Sequence, residues 1–223
     1  ELMPRFALQV MDPKPDRIET IKDYVGEDDF EILETSLVFS RSGLIQEAIE
    51  VLESGCINPV PDDEQNHLVM YQLAYLNHLN NNEQQSQHYL KRASANYSDF
   101  INASRPEMED ALLYAIEKNP RDAVALYQLG NLYANFGRLD EAESYWSRSV
   151  DSDPSQSIPW RNLGLHAWVI KDNHQKAIEC YQNAIKAREF DQTLYRDLAR
   201  VYNDAGQTKE AITLLENMKS KGT

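Results

Sequence analysis

The amino-acid sequence predicts an all-α protein, a solenoid of antiparallel helix pairs with no β-sheet. The first observation behind this reading is an internal repeat, in which residues 123–156 and 157–191 lie under one another at regular offsets. Leu126, Leu129, Gly130 and Tyr133 answer to Trp160, Leu163, Gly164 and Ala167, while Ala142, Trp146 and Ser149 answer to Ala177, Tyr181 and Ala184. The second observation is the alternation of small and bulky residues at fixed places, as two helices packed about 8–10 Å apart require. The third is punctuation: Gly137 in the middle of the first copy and Asp153-Pro154 at its close. A helix pair of this kind cannot bury both of its faces alone, so further pairs must stack on it.

The residue types of the central copy make physical sense. Gly130 and Ala142 are small where the two helices cross, and Leu129, Tyr133 and Trp146 fill the space between them. Gly137 supplies the left-handed turn that ends the first helix, and Asp140 and Glu141 place negative charge at the positive end of the second. Asp122 is the expected N-cap before Ala123, and Pro159 falls in a first turn, where a missing N–H costs little.

In chain order, residues 1–28 form an N-terminal segment. Each Pro in Met11-Asp-Pro-Lys-Pro15 biases its predecessor away from helix, and Asp16 to Tyr24 reads as a short helix. Residues 29–62 read as a diverged pair, with Gly43 as the turn, Ala48 at the small position and Ile45, Ile49 and Leu52 at helical spacing. Residues 67–100 read the same way, with Asn80-Asn-Asn82 in the turn and Ala93 in the second helix. Between 104 and 120 only one helix fits. Ser104-Arg-Pro-Glu107 reads as a capping box with Pro in the first turn, and Asn119-Pro120 ends the helix. Residues 123–156 and 157–191 follow, the latter with an extra residue near Asp172-Asn-His174. Residues 192–223 close the array with Tyr195, Leu198, Ala199, Tyr202, Gly206, Ala211 and Leu215. The expectation is therefore five helix pairs plus one single helix.

The 34-residue period with W-x2-L-G-x2-Y, then A-x3-F, then Pro, resembles the tetratricopeptide repeat. That resemblance implies a right-handed superhelix whose first helices line a concave groove. A finer likeness is carried by His88-Tyr-Leu-Lys-Arg-Ala93, Ser104-Arg-Pro-Glu107 and Pro159-Trp-Arg-Asn-Leu-Gly164. Together these resemble the repeat-bearing tail of large bacterial multidomain proteins whose N-terminal domain is similar to sugar-processing enzymes. It implies a place beside carbohydrate metabolism and transfers no catalytic residue.

Composition narrows the function classes. The chain has 223 residues, 26% charged and 42% hydrophobic, with a formal net charge of −14. A phosphate backbone meets net repulsion at that charge, which argues against nucleic-acid binding. No apolar run approaches the roughly 18 residues of a membrane span. The chain begins at Glu1, which reads as a piece of a longer protein, and a soluble, cytoplasmic setting is the expectation. Cys56 and Cys180 are lone thiols, expected to be small packing residues rather than a disulfide or zinc pair. His67, His78, His88, His166 and His174 include no H-E-x-x-H, and Gly130 and Gly164 belong to no phosphate-binding loop. Acidic pairs such as Asp28-Asp29 and Asp62-Asp63 fall in turns. No catalytic residue, metal site or cofactor is expected.

Two kinds of function remain. One is a protein-interaction scaffold holding a peptide, or the protein's own preceding part, in the groove. The other is a non-catalytic bracing or oligomerisation domain of a larger carbohydrate-active protein. Arg196 and Arg200 share a face at i,i+4, with Arg161 and Asn131 at equivalent places one and two repeats earlier and Asn162 beside them. Some tetratricopeptide repeats hold the carboxylates of a partner's C-terminal tail with Lys, Arg and Asn on this surface. The resemblance therefore implies a groove of Asn131, Arg161, Asn162, Arg196 and Arg200 for an acidic or carboxylate-terminated peptide. The plainer alternative pairs Arg200 with Asp204. Tyr127, Trp146, Trp160, Trp168 and Tyr195 offer a ligand platform; Trp146 and Trp160 occupy packing positions and are read as core, whereas Trp168, one residue past a packing position, is a further groove candidate. Ile212, Leu214, Leu215 and Met218 exceed what one neighbour covers, so this end is expected to be covered by another chain, as in a homo-oligomer, or by residues beyond Thr223.

Overall fold

The computed structural model describes residues 29–57, 66–95 and 101–221. The N-terminal segment 1–28, the prolines at 59 and 61 and the loop around Tyr97 lie outside those residues. Every regular element among the described residues is a helix, and none is a strand. It runs α1 (Asp29–Arg41), α2 (Ile45–Leu52), α3 (His67–Leu79), α4 (Glu83–Ala95), α5 (Met108–Lys118), α6 (Ala123–Asn135), α7 (Leu139–Ser152), α8 (Ser157–Val169), α9 (His174–Ala187), α10 (Gln192–Asp204) and α11 (Thr208–Lys221). α2 runs on as a π-helical stretch, Glu53–Ile57, that buries Cys56 and Ile57. Five pairs form, α1 with α2, α3 with α4, α6 with α7, α8 with α9 and α10 with α11. The short turns within each pair make its helices antiparallel. α5 stands alone between α3 and α6 and packs on both.

The turns explain why the pairs form. Gly43, Gly137 and Gly206 carry φ of 79°, 74° and 74°, a left-handed conformation that glycine adopts without penalty. Asn81 and Asp172 take the same region at 58° and 51°, the short polar side chains that tolerate it best. Asp172 lies where the extra residue lengthens the turn between α8 and α9. Asp122 caps α6, its Oδ1 accepting from the Ala125 N–H at 3.0 Å. That carboxylate also accepts from the Tyr71 hydroxyl of α3 at 2.8 Å, so the cap ties α6 to α3.

One local expectation is corrected. No side-chain cap closes the start of α5, so Ser104-Arg-Pro-Glu107 does not act as a capping box. Glu107 instead pairs with Arg41, and Arg105 with Glu34. The segment is used to tie α5 back to α1, and the turn at Pro106 starts the helix through backbone bonds alone.

The crossing of α6 and α7 is tight. A Cβ built on Gly130 would sit 2.5 Å from Cδ1 of Trp146 and 3.2 Å from the Ala142 carbonyl oxygen. Only glycine lets the indole lie against the helix backbone. Trp146, Leu129 and Tyr133 are buried there. Trp160 keeps its expected packing role, but at the edge of the core rather than inside it. It is only partly buried, touches both hydrophobic clusters, and donates its indole N–H to the Pro154 carbonyl at 3.0 Å. The interior divides accordingly, with one buried cluster reaching from α1 to Cys180 of α9 and a second from Ala167 of α8 to Val201 of α10, against which Leu214 of α11 packs. Cys56 and Cys180 are buried free thiols, and burial pushes the Cys180 thiol up to about 11. On α11, Ile212 and Leu215 stay exposed.

A polar knot replaces the helix that α5 lacks. The buried Gln128 carboxamide accepts from the Ala103 N–H at 2.8 Å and donates to the Ile101 carbonyl at 2.7 Å. Its nitrogen also lies 2.6 Å from Nε2 of His67, which accepts there. Residues 101–103 are thereby stitched to α6 and α3. Burial lowers the His67 pKa from 6.5 to about 4. The unfolded chain therefore takes up a proton between pH 6.5 and 4 that the folded chain does not, so stability falls with acidification across that window. The expected loss from this ring is about 3 kcal/mol, read by urea unfolding at pH 7 and pH 4. An NMR titration in which the His67 ring protonates near pH 6.5 would contradict it.

Candidate functional site

Near the expected groove lies a cavity of about 550 Å³ framed by α6, α7 and α8. Its polar wall is a chain of amides. The Trp146 indole donates to Asn131 Oδ1 at 2.9 Å, Asn162 Nδ2 donates to the same oxygen at 2.8 Å, and Asn131 Nδ2 donates to Asn102 Oδ1 at 2.7 Å. The close approach at Gly130 is what brings the indole of α7 to Asn131 on α6. The opposite lip is apolar and open: Leu165, Val169 and Ile170 are 42%, 61% and 50% exposed. For such side chains this exposure is high, and all three border one opening.

The six groove residues do not all meet. Asn131, Arg161 and Asn162 line the cavity; Trp168, Arg196 and Arg200 do not. The reason is Asp197, a buried carboxylate on α10. Arg161 reaches its Oδ2 from Nη2 at 3.3 Å, and Arg200 reaches its Oδ1 at 3.4 Å. The anion that relieves the Arg196–Arg200 repulsion is thus the chain's own. Arg200 pairs with Asp197 one turn back rather than with Asp204, because Asp204 accepts the Trp168 indole N–H at 3.1 Å. Trp168 is half-buried and packs on the second cluster. Arg196 is exposed, its hydrogen bond going to Thr193 Oγ1 at 3.3 Å. Tyr127 and Tyr195 are buried.

A second constellation went unseen in the sequence. Asp140 and Glu143 of α7 and His166 of α8 bring one donor atom each within 4.8 Å of the others. Glu143 Oε2 lies 3.5 Å from His166 Nδ1, and Lys171 Nζ lies 2.6 Å from Asp140 Oδ1. The hydrogen bond to the Lys171 ammonium holds the Asp140 carboxyl below its usual range, and Asp140 raises the Lys171 pKa in return. The two acidic residues precede His166 by more than twenty positions, so no local spacing announces the group. Stacking α7 of one unit on α8 of the next is the signal that finds it.

Residues 111–144 and 160–218 each match a sequence profile described as tetratricopeptide repeat. Over those two stretches the chain carries tetratricopeptide repeats. The Caenorhabditis elegans tetratricopeptide repeat-containing protein trd-1 is 29% identical over 103 residues, 46% of this chain. The match spans only 13% of that relative's length. Among solved structures, MamA is similar over 84% of this chain and 94% of its own, at 17% identity and a TM-score of 0.45. MamA from Desulfovibrio magneticus RS-1 is similar over 88% and 96%, at 15% identity and a TM-score of 0.46. None of these names a sugar-processing protein. Tetratricopeptide repeats support a protein-interaction scaffold in general terms. Among the described residues, no helix is long and apolar enough to cross a membrane.

Proposed function

We propose that this chain is a non-catalytic scaffold that holds an extended peptide segment in the cavity between α6, α7 and α8. The segment belongs to a partner protein or to a neighbouring domain of the same protein. The observation that carries the reading is the pairing of an amide wall, Asn131 and Asn162, with the open apolar lip of Leu165, Val169 and Ile170. Carboxamides offer both donors and acceptors and so suit a peptide backbone, while the lip suits apolar side chains. Arg161, at the cavity edge, is the group that would take a carboxylate at the end of an acidic tail, although Asp197 already shares it. Arg196 and Arg200 sit farther along and extend the positive edge. The net charge of −14 slows the approach of such a tail, and added salt relieves that.

The test is calorimetric titration of acidic-tailed peptides with a free or an amidated C-terminus. The expected affinity for the free acid is on the order of micromolar. Val169→Asp should weaken it at least tenfold without changing the melting temperature, since Val169 is largely exposed. Arg161→Ala should remove the difference between the free and amidated peptides. Unchanged affinity in Val169→Asp would sink the cavity as the site, and equal binding of the two peptides to the parent chain would sink the carboxylate preference.

A further inference from the structure

We infer that Asp140, Glu143 and His166 form a binding site for a divalent transition-metal cation of the zinc type, clasping α7 to α8. Three features support it independently of the peptide reading. The first is the donor set. Asp140 and Glu143 stand three apart in the first turns of α7 and present carboxylates on one side, and His166 meets them from α8. Two donors about 2.1 Å from a tetrahedral zinc lie about 3.4 Å apart, and Glu143 Oε2 and His166 Nδ1 are 3.5 Å apart. Asp140 is almost fully exposed and closes on the ion by rotating its side chain.

The second feature is His166 itself. It is 4% exposed, and neither ring nitrogen has a hydrogen-bond partner. A buried imidazole normally spends at least one nitrogen on a partner, because desolvating both without compensation is costly. Here Nδ1 faces the Glu143 carboxylate beyond hydrogen-bond reach. A metal ion between them gives Nδ1 the partner it lacks and balances the Glu143 carboxylate.

The third feature is Lys171. Its ammonium lies 2.6 Å from Asp140 Oδ1 and 3.9 Å from Glu143 Oε2, so a positive charge is already stabilised at this point. The ammonium makes no bond to His166, and its half-exposed, flexible side chain withdraws into water at little cost. A dication brings twice the charge and bonds the imidazole as well. One imidazole with two carboxylates favours zinc, cobalt or nickel over magnesium and calcium, which prefer oxygen alone. Three protein ligands leave a fourth position to water. Because His166 also borders the cavity, an ion here would hold that wall in place.

Calorimetric titration of the chain with zinc chloride, and separately with magnesium chloride, tests the assignment. One equivalent of zinc is expected to bind and to raise the melting temperature by mass action, with no binding of magnesium. Asp140→Asn and Glu143→Gln should each weaken zinc binding at least about tenfold. Both residues lie outside the packed interior, so their folding is not in question even where His166→Gln destabilises. Lys171→Met should tighten binding by removing the competing charge. Cobalt in place of zinc should shift the His166 ring protons in NMR spectra. The site is overturned by no zinc binding, by equal affinity in Asp140→Asn and Glu143→Gln, or by magnesium binding as tightly as zinc, which would mark a mere acidic patch.

Discussion

Trp146→Ala lowers the unfolding free energy by about 3–5 kcal/mol, the usual cost of emptying a buried aromatic site. The position leaves little room for collapse. The indole lies directly on the backbone at Gly130, where even one added carbon would clash, so the vacated space is bounded by helix rather than by mobile side chains. The loss has a second part. The indole N–H bonds Asn131 Oδ1, and that carboxamide holds the amide wall of the cavity. Chemical denaturation with an unchanged m-value measures the first part. Faster hydrogen exchange of the Asn131 and Asn162 side-chain amides reports the second. A loss under about 1 kcal/mol would mean that the α6–α7 crossing does not depend on this ring.

Gln128→Leu costs about 2–5 kcal/mol although the side chain keeps nearly its size. The apolar replacement leaves the Ala103 N–H and His67 Nε2 without partners in a buried place, and each such orphan costs about 1–3 kcal/mol. The Ile101 carbonyl still accepts the Tyr127 hydroxyl at 3.1 Å and contributes less. The loss is local in origin, so the Ala103 amide should exchange with solvent far faster in the variant at temperatures where the helices persist. A variant with parent stability and a protected Ala103 amide would show that residues 101–103 are held by other contacts.

The helices and their turns were readable because the forces that set them act over short stretches of chain. Gly43, Gly137 and Gly206 announce left-handed turns, Asp122 announces a cap, and the pairing of Gly130 and Ala142 with Trp146 announces a close crossing. Each statement compares residues within one 34-residue unit, where helical geometry dictates who faces whom. The single helix after residue 104 was legible for the same reason, as there is no room for a second. The failures share a different cause. Ser104-Arg-Pro-Glu107 has the spacing of a capping box, but Arg41 claims Glu107 and Glu34 claims Arg105 from α1. Arg200 has Asp204 at i+4, yet Asp197 captures it together with Arg161 from the preceding unit. Trp168 turns to Asp204 for the same reason of reach.

By itself, then, the sequence determined the helix pairs, their turns, and which residues are small or large where helices cross, because a fixed period and helical geometry leave few alternatives. The tertiary structure alone decided how one unit leans on the next. That angle sets which polar side chains from different units come within about 3 Å, and hydrogen bonding is lost within a fraction of an ångström of that distance. For this reason the Arg161–Asp197–Arg200 bridge, the Gln128–His67 knot, the amide wall around Asn131 and the meeting of Asp140, Glu143 and His166 belong to the stacked array, and no single repeat contains any of them whole.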